Sequence, residues 1–360
     1  MKKENSNEKE IFSENPEKEQ WNLLEIYSYE NNIKKYFLEL HSSNLDDEKI
    51  NNISNAILQA KEYFFLATKA TLFTQPVLLY YGYINLLSAL YILKKGKIAN
   101  IENHGMRIEM QDNNVGNIKV GINNTKTGAL SNFSTLLSDS FNIDKYKNLT
   151  LKELLSTIPD ILEYYLMTYQ DKYIHLLPLD EIEHKSYVED RVDVKYIKYL
   201  ENGIDTLDKC KNIKKNYLPI IQQDGSRYVF LRRKITYEED VTLGINNKRY
   251  INFEFNKDLI IDQKISRLMI LYALSVLCRY YPNIWNQFVK SDNSGEKLLI
   301  QSFLNNCIRI IPNDILNIIE NKVISFTSKK QERFIAKTND SEIKEIIDEY
   351  IDEYLKKGNK

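Results

Sequence analysis

The run from Pro76 to Leu93, PVLLYYGYINLLSALYIL, carries no charged side chain, and any fold for this chain must first find a place for it. A segment of this kind is close to the ~20 apolar residues needed to cross a bilayer. It also holds Gly82, Asn85, Ser88 and four tyrosines. Hydrocarbon gives such polar groups no partner, whereas a protein interior can. The run therefore reads as a helix buried in the core of a water-soluble body. Its ends are signalled too. Proline fits the first turn of a helix, after Thr74 and Gln75, and Lys94-Lys95-Gly96 is a C-terminal stop. Gly82, Asn85 and Ala89 fall on one stripe, small enough for another helix to approach closely.

Upstream, residues 17–42 repeat apolar side chains at helical spacing, from Trp21 and Leu24 to Phe37 and Leu40. After SSNLDDEK a second helix is predicted from about Ile50 to Ala70, with Ile53, Ile57, Ala60, Phe64 and Ala67 along one side. Residues 97–148 are dense in Asn, Gly and Thr and predict a short β-hairpin or irregular loop, with Gly116, Gly121 and Gly128 as turn points. Helix returns over 150–170, where Thr150 and Glu153 have capping-box spacing and Pro159 kinks or divides the run. Between 216 and 256, RYVFLRRKITY and KRYINFEF are β-branched and aromatic, with turn signals at Asp224-Gly225 and Asn246-Asn247. Further helices are expected from Asp258 to Tyr281, Gly295 to Ile311 and Pro312 to Asn321. The expected fold is mainly α: a helical bundle core with a small antiparallel β element, α+β in class. The expected organisation is a flexible tail over 1–16 and an N-terminal helical domain over 17–175, with its β/loop insertion at 97–148. A C-terminal helical region over 176–330 follows, with short strands at 227–256, and an acidic amphipathic helix lies in 331–360.

Composition narrows the function classes. Lys+Arg (49) and Asp+Glu (50) nearly cancel, which removes any general pull toward nucleic acid while leaving room for a local basic patch. The 25 tyrosines against 2 tryptophans fit an AT-rich coding bias better than a functional demand. Cys210, Cys278 and Cys307 are odd in number, far apart and form no C-x-x-C pair, so buried thiols in a reducing cytosol are expected rather than disulfides or a zinc site. The start, MKKENSNEKEIFSENPEKEQ, has basic residues but no apolar stretch after them, unlike a signal peptide. Cytoplasmic localisation without a membrane partner is the expectation.

Three strings carry a resemblance: TQPVLLYYGYINLLSALYIL, the NHGMRI that follows it, and LYALSVLCRYYPNIW. Together they resemble the YaaC-like bacterial proteins, over about Trp21 to Glu320. The resemblance implies a shared fold and a bacterial cytosolic setting, and it supplies no reaction. More loosely, the helices up to His104 resemble HEPN-type domains, which include ribonucleases of toxin and phage-defence systems built on an Arg-x(4–6)-His motif. None of the four histidines, His41, His104, His175 and His184, follows an arginine at that spacing, and His104 and Arg107 stand in the opposite order.

Among candidate site residues, His104 and Arg107 come first. An imidazole can move protons near neutral pH, and a guanidinium can grip phosphate or carboxylate. The competing reading is a structural histidine in a tight glycine turn. Gln75, Tyr80, Tyr81 and Asn85 lie on or beside the core helix, where Asn85 lines a pocket or ties two helices together. Arg227, Arg232, Arg233 and Lys234 interleave with Tyr228 and Phe230 on a predicted strand, a pattern that suits a nucleotide or a charged edge strand. Arg279, before Tyr280 and Tyr281, could meet an acidic partner or cap its own helix. Ser291-Asp292-Asn293 lacks the S-x-x-K partner of a β-lactamase, and Glu181, Glu183 and His184 are a weak metal signal. Walker A, G-x-G-x-x-G, H-E-x-x-H and G-x-S-x-G motifs are absent from the sequence.

These residues lead to an expectation of a non-catalytic protein that binds a protein partner, a second copy of itself or a small ligand, in regulation, stress or phage defence. No cofactor and no metal are expected. The alternatives are a HEPN-related ribonuclease using His104 and Arg107, and a nucleotide-binding protein using the arginine strand around Arg232.

Overall fold

The computed structural model describes residues 8–123, 128–138, 146, 148–171, 174–184, 187–200, 207, 211, 213, 217–223, 228–233, 241–245, 248–252 and 262–327. The chain divides into two compact units, Gln20–Asn321 and a smaller one from Met1–Glu19 and Lys322–Lys360. The fold is mainly α with small, largely antiparallel sheets, an α+β arrangement.

In the large unit, α1 (Pro16–Ile26, begun in the smaller unit) and α2 (Glu30–His41) divide the amphipathic stretch expected to run on. Side chains replace the helical ladder at the break. Asn32 Nδ2 donates to Ile26 O at 3.0 Å and Ser28 Oγ to Glu25 O at 2.8 Å, offering the backbone a local alternative to helix. Helix α3 (Asp47–Ala67) starts under an Asp46 cap, whose carboxylate accepts from Lys49 N at 2.9 Å.

Helix α4 (Gln75–Lys95) is the predicted core helix, entered through Pro76 and ended by Gly96. Among the described residues it alone is long and apolar enough to cross a membrane, and 67% of its apolar window is buried. It packs against α3, α5 (Ala129–Leu137), α9 (Gln263–Tyr280) and α11 (Glu296–Glu320). Gly82 is the point of closest approach: a Cβ there would stand 2.8 Å from the Phe64 ring. The small-residue stripe therefore serves the α3–α4 contact.

The hairpin is β2 (Met106–Glu109) and β3 (Lys119–Ile122), joined by β4 (Leu149–Thr150). Gly121 lies inside β3 rather than at a turn, and α5 forms where loop was expected. The Thr150–Glu153 capping box is present and opens α6 (Leu151–Leu155). Pro159 separates α6 from α7 (Leu162–Tyr169) through a single 3-10 turn. The larger sheet comprises β5 (Leu176–His184), β6 (Tyr187–Asp193), β7 (Tyr217–Gln223), β8 (Tyr228–Arg233), β9 (Val241–Leu243) and β10 (Arg249–Asn252). Its order is β7-β8-β6-β5-β10-β9, antiparallel throughout. A one-turn α8 (Val194–Ile197) follows β6.

Helix α9 begins under an Asp262 cap, later than expected, and α10 (Pro282–Ser291) follows as a separate helix. Helix α11 runs through Pro312 without dividing. An interior proline costs about 3 kcal/mol, against which stand Ile310, Ile311, Ile315, Leu316 and Ile319, all buried along this part of the helix.

The small unit holds a parallel pair, β1 (Glu8–Phe12) against β11 (Val323–Thr327), with Glu8 beside Val323. Part of the expected tail is thus strand. The expected acidic helix in 331–360 lies outside the described residues.

Candidate functional site

The loop between α4 and β2 is built to hold one histidine. Asn103 Oδ1 accepts from Gly105 N at 2.8 Å, and the carbonyls of Asn103 and His104 accept from Ala129 N (2.9 Å) and Leu130 N (3.2 Å), the first N–H groups of α5. Gly105 takes φ +73, a conformation that side chains rarely adopt, in close contact with Gly128. His104 is thereby fixed at both sides through its backbone.

Its ring meets α4 and α9. Tyr80 Oη is 2.7 Å from His104 Nδ1, and the rings of Tyr80, His104 and Tyr272 lie within 6 Å of one another, centroid to centroid. Tyr272 Oη donates to Met106 O at 2.6 Å, tying α9 to β2. Tyr80 is fully buried, and His104 is its hydroxyl's hydrogen-bond partner. If Nδ1 carried the proton, the phenolic hydrogen would be left unpaired in the interior, at a cost of about 1–3 kcal/mol. The phenol therefore donates to Nδ1, and the imidazole proton sits on Nε2, pointing away from Tyr80 an N–H with no partner among the described residues. Burial, followed by the charge of Arg279, holds the imidazole below its ordinary pKa of 6.5. The ring is thus a neutral donor near pH 7.

Arg279 completes the group. Its Nε donates to Ser275 O at 3.1 Å, and its Nη1 to Tyr81 Oη at 2.7 Å. The guanidinium centre lies 5.4 Å from the Tyr81 ring centroid and 4.9 Å from that of Tyr280. No carboxylate pairs with it among the described residues. The result is an oriented, part-exposed cation between two aromatic rings, with N–H capacity to spare.

The other sequence candidates stand apart from this group. Arg107 lies on β2 and spends its charge locally: Nε donates to Glu109 Oε1 at 2.9 Å, and Nη1 to Asn123 Oδ1 at 3.0 Å. Asn85 Nδ2 donates to Gln59 Oε1 at 2.8 Å, joining α4 to α3. Gln75 is buried and donates to Ala67 O at 3.1 Å and Asn305 Oδ1 at 3.3 Å. Arg232 falls in β8 opposite Glu189 and Leu218, while Arg227 and Lys234 lie outside the described residues. Asp292 of the Ser-Asp-Asn triplet accepts from the backbone N–H groups of Ser294, Gly295 and Lys297, so it shapes the turn into α11. Burial pushes the Cys278 thiol up to about 12, far from a thiolate.

Two further features escaped the sequence reading. An open crevice of about 220 Å³ runs between the Asn113–Asn114 loop, Gln287 and Phe288 of α10, and Asp292 and Glu296. Its Asp292 is already occupied as a cap. The second is a buried ionic cluster on α9. Arg267, 1% exposed, donates to Asp314 Oδ2 at 2.9 Å and Gln263 Oε1 at 2.5 Å, with Asp160 Oδ2 at 3.6 Å. An arginine inside ISRLMILYALSVLC was the available signal, because a lone charge in an apolar helix must be paired.

Against known proteins, a family model described as YaaC-like Protein matches residues 11–319. No curated protein and no solved structure matches the chain.

Proposed function

The chain belongs to the YaaC-like family, and from that premise we propose that it is a non-catalytic cytoplasmic binding protein whose Arg279–His104–Tyr81 group takes a ligand bearing an anionic group. The observation that carries this reading is the Arg279 guanidinium, oriented by Ser275 and Tyr81 with no carboxylate beside it among the described residues. A part-buried charge without an internal counterion favours an external one. His104 Nε2–H adds a second donor, and the ring's basic Nδ1 is taken up by the Tyr80 hydroxyl. Binding of this kind fits a regulatory, stress or phage-defence role, in which ligand occupancy alters an interaction with a protein partner or a second copy.

The test is thermal unfolding with increasing inorganic phosphate. At a concentration 100 times its Kd, a ligand that binds only the folded state adds about 2.7 kcal/mol. Wild type is expected to be stabilised and Arg279→Gln not. Equal curves for the two proteins would end the proposal.

A second reading, a HEPN-related ribonuclease, draws support from a histidine and an arginine brought into one group, although the arginine is Arg279 and not Arg107. Incubation with cellular RNA decides it: cleavage by wild type and not by His104→Ala would favour the nuclease, and intact RNA with both would remove it.

A further inference from the structure

We infer that the ligand at this site is a nucleoside phosphate, its phosphate on Arg279 and its base on the ring of Tyr280. The inference rests on the anion-binding reading above and adds the other half of the ligand. Arg279 and Tyr280 are consecutive residues at the end of α9, and the guanidinium centre sits 4.9 Å from the Tyr280 ring centroid. Cation and ring are thus close enough for one ligand to meet both. Tyr280 is 67% exposed and its neighbour Tyr281 37% exposed, so two phenol rings stand at the surface beside the cation. Elsewhere in the group the tyrosines are committed: Tyr80 to His104, Tyr81 to Arg279 and Tyr272 to Met106 O. Among the described residues Tyr280 makes no such bond, and its exposed ring, met by the Arg279 guanidinium, is the aromatic platform left over.

The polar chemistry narrows the class further. The groups offered to a ligand are donors, the remaining guanidinium N–H groups and His104 Nε2–H. Donors select an anion over a cation or an amine. A plain inorganic anion or a small carboxylate leaves the Tyr280 face unused. A planar base covers it, and stacking on an aromatic side chain together with an adjacent arginine is how bases are held without sequence readout. The reading does not depend on the strand arginines, since Arg232 belongs to β8 of the six-stranded sheet.

Calorimetric titration of the full chain separates the two layers of the argument. The probes are inorganic phosphate, glycerol 1-phosphate, adenosine, AMP, UMP and a uridine pentanucleotide. AMP and UMP are expected to bind about tenfold or more tighter than glycerol 1-phosphate, from one stacked base. Tyr280→Ala should bring AMP and UMP down to the affinity of glycerol 1-phosphate, while Arg279→Gln should remove the binding of every phosphate. Tyr280 is exposed and Arg279 part-exposed, and unchanged circular dichroism confirms the fold of each variant. Equal affinities for AMP and glycerol 1-phosphate, or no effect of Tyr280→Ala, would overturn the nucleoside inference and leave the anion site standing. No binding of any phosphate would overturn both. Adenosine binding as tightly as AMP would also overturn it, because the base alone would then carry the affinity. Tighter binding of the pentanucleotide than of UMP supports a nucleotide held within a strand, and the reverse order supports a free mononucleotide.

Discussion

Helix α9 carries two arginines that have opposite fates. Arg267, in its first half, is sealed in the interior with Asp314 and Asp160 for counterions and Gln263 for a further hydrogen bond. Arg279, in its last turn, is part-exposed and held by a carbonyl and a phenol, with no carboxylate among the described residues. The first charge is neutralised by the protein itself and so belongs to its architecture. The second is oriented yet uncompensated, which is what a binding site for an outside anion requires.

The comparison is sharpest in stability. Arg267→Ala strands two carboxylates in the core and should cost about 3–5 kcal/mol, read as a large fall in the urea midpoint of unfolding. A loss under about 1 kcal/mol would mean that the buried cluster is not structural and would break the contrast. Tyr80→Phe removes one buried hydrogen bond and is expected to cost about 1 kcal/mol. Its sharper readout is the nitrogen NMR signature of His104, which should show the proton on Nε2 in wild type and a mixture of tautomers in the variant. An unchanged signature would sink the role given to Tyr80. Arg279→Gln, despite its effect on ligand binding, should move stability by less than about 1 kcal/mol.

The smallest expected effect is on pH dependence. The pKa of His104 is depressed in the folded state, by burial and then by Arg279, so the unfolded chain binds its proton first. Its contribution to stability is complete above the ordinary value of 6.5 and is lost as pH falls from there toward the lowered folded value. His104→Gln should therefore flatten the loss of melting temperature below pH 6.5, and Arg279→Gln should flatten part of it. Parallel pH profiles for the three proteins would show that Arg279 and His104 do not feel each other.

Local signals in the sequence were legible wherever their chemistry is local. Pro76 and Gly96 bound α4, Thr150 and Glu153 form their capping box, Pro159 separates α6 from α7, and Gly82 admits Phe64. Signals that depend on distant partners were not. The break after Ile26 comes from side chains bonding to their own backbone, and the continuity of α11 through Pro312 comes with the burial of the surrounding isoleucines. Of the candidate site, His104, Tyr81 and Arg279 could be singled out by residue type. Their meeting could not, because it depends on how α4 packs on α9 and on a glycine turn against α5. In sequence Arg107, beside His104, stands ahead of Arg279 as a candidate. Only the register of β2 against β3, which sets it beside Gly121 and Asn123, shows that its charge is already spent.

The parallel pair β1–β11 has a consequence for biosynthesis. Its first strand is synthesised on the order of 300 residues before its partner, which begins at Val323, a wait of about 15–60 s at 5–20 residues per second. Throughout that interval the early strand has no mate and its edge is open to any other nascent chain. The pair cannot close before Val323–Thr327 is made, so a product stalled earlier would carry an unmatched β edge.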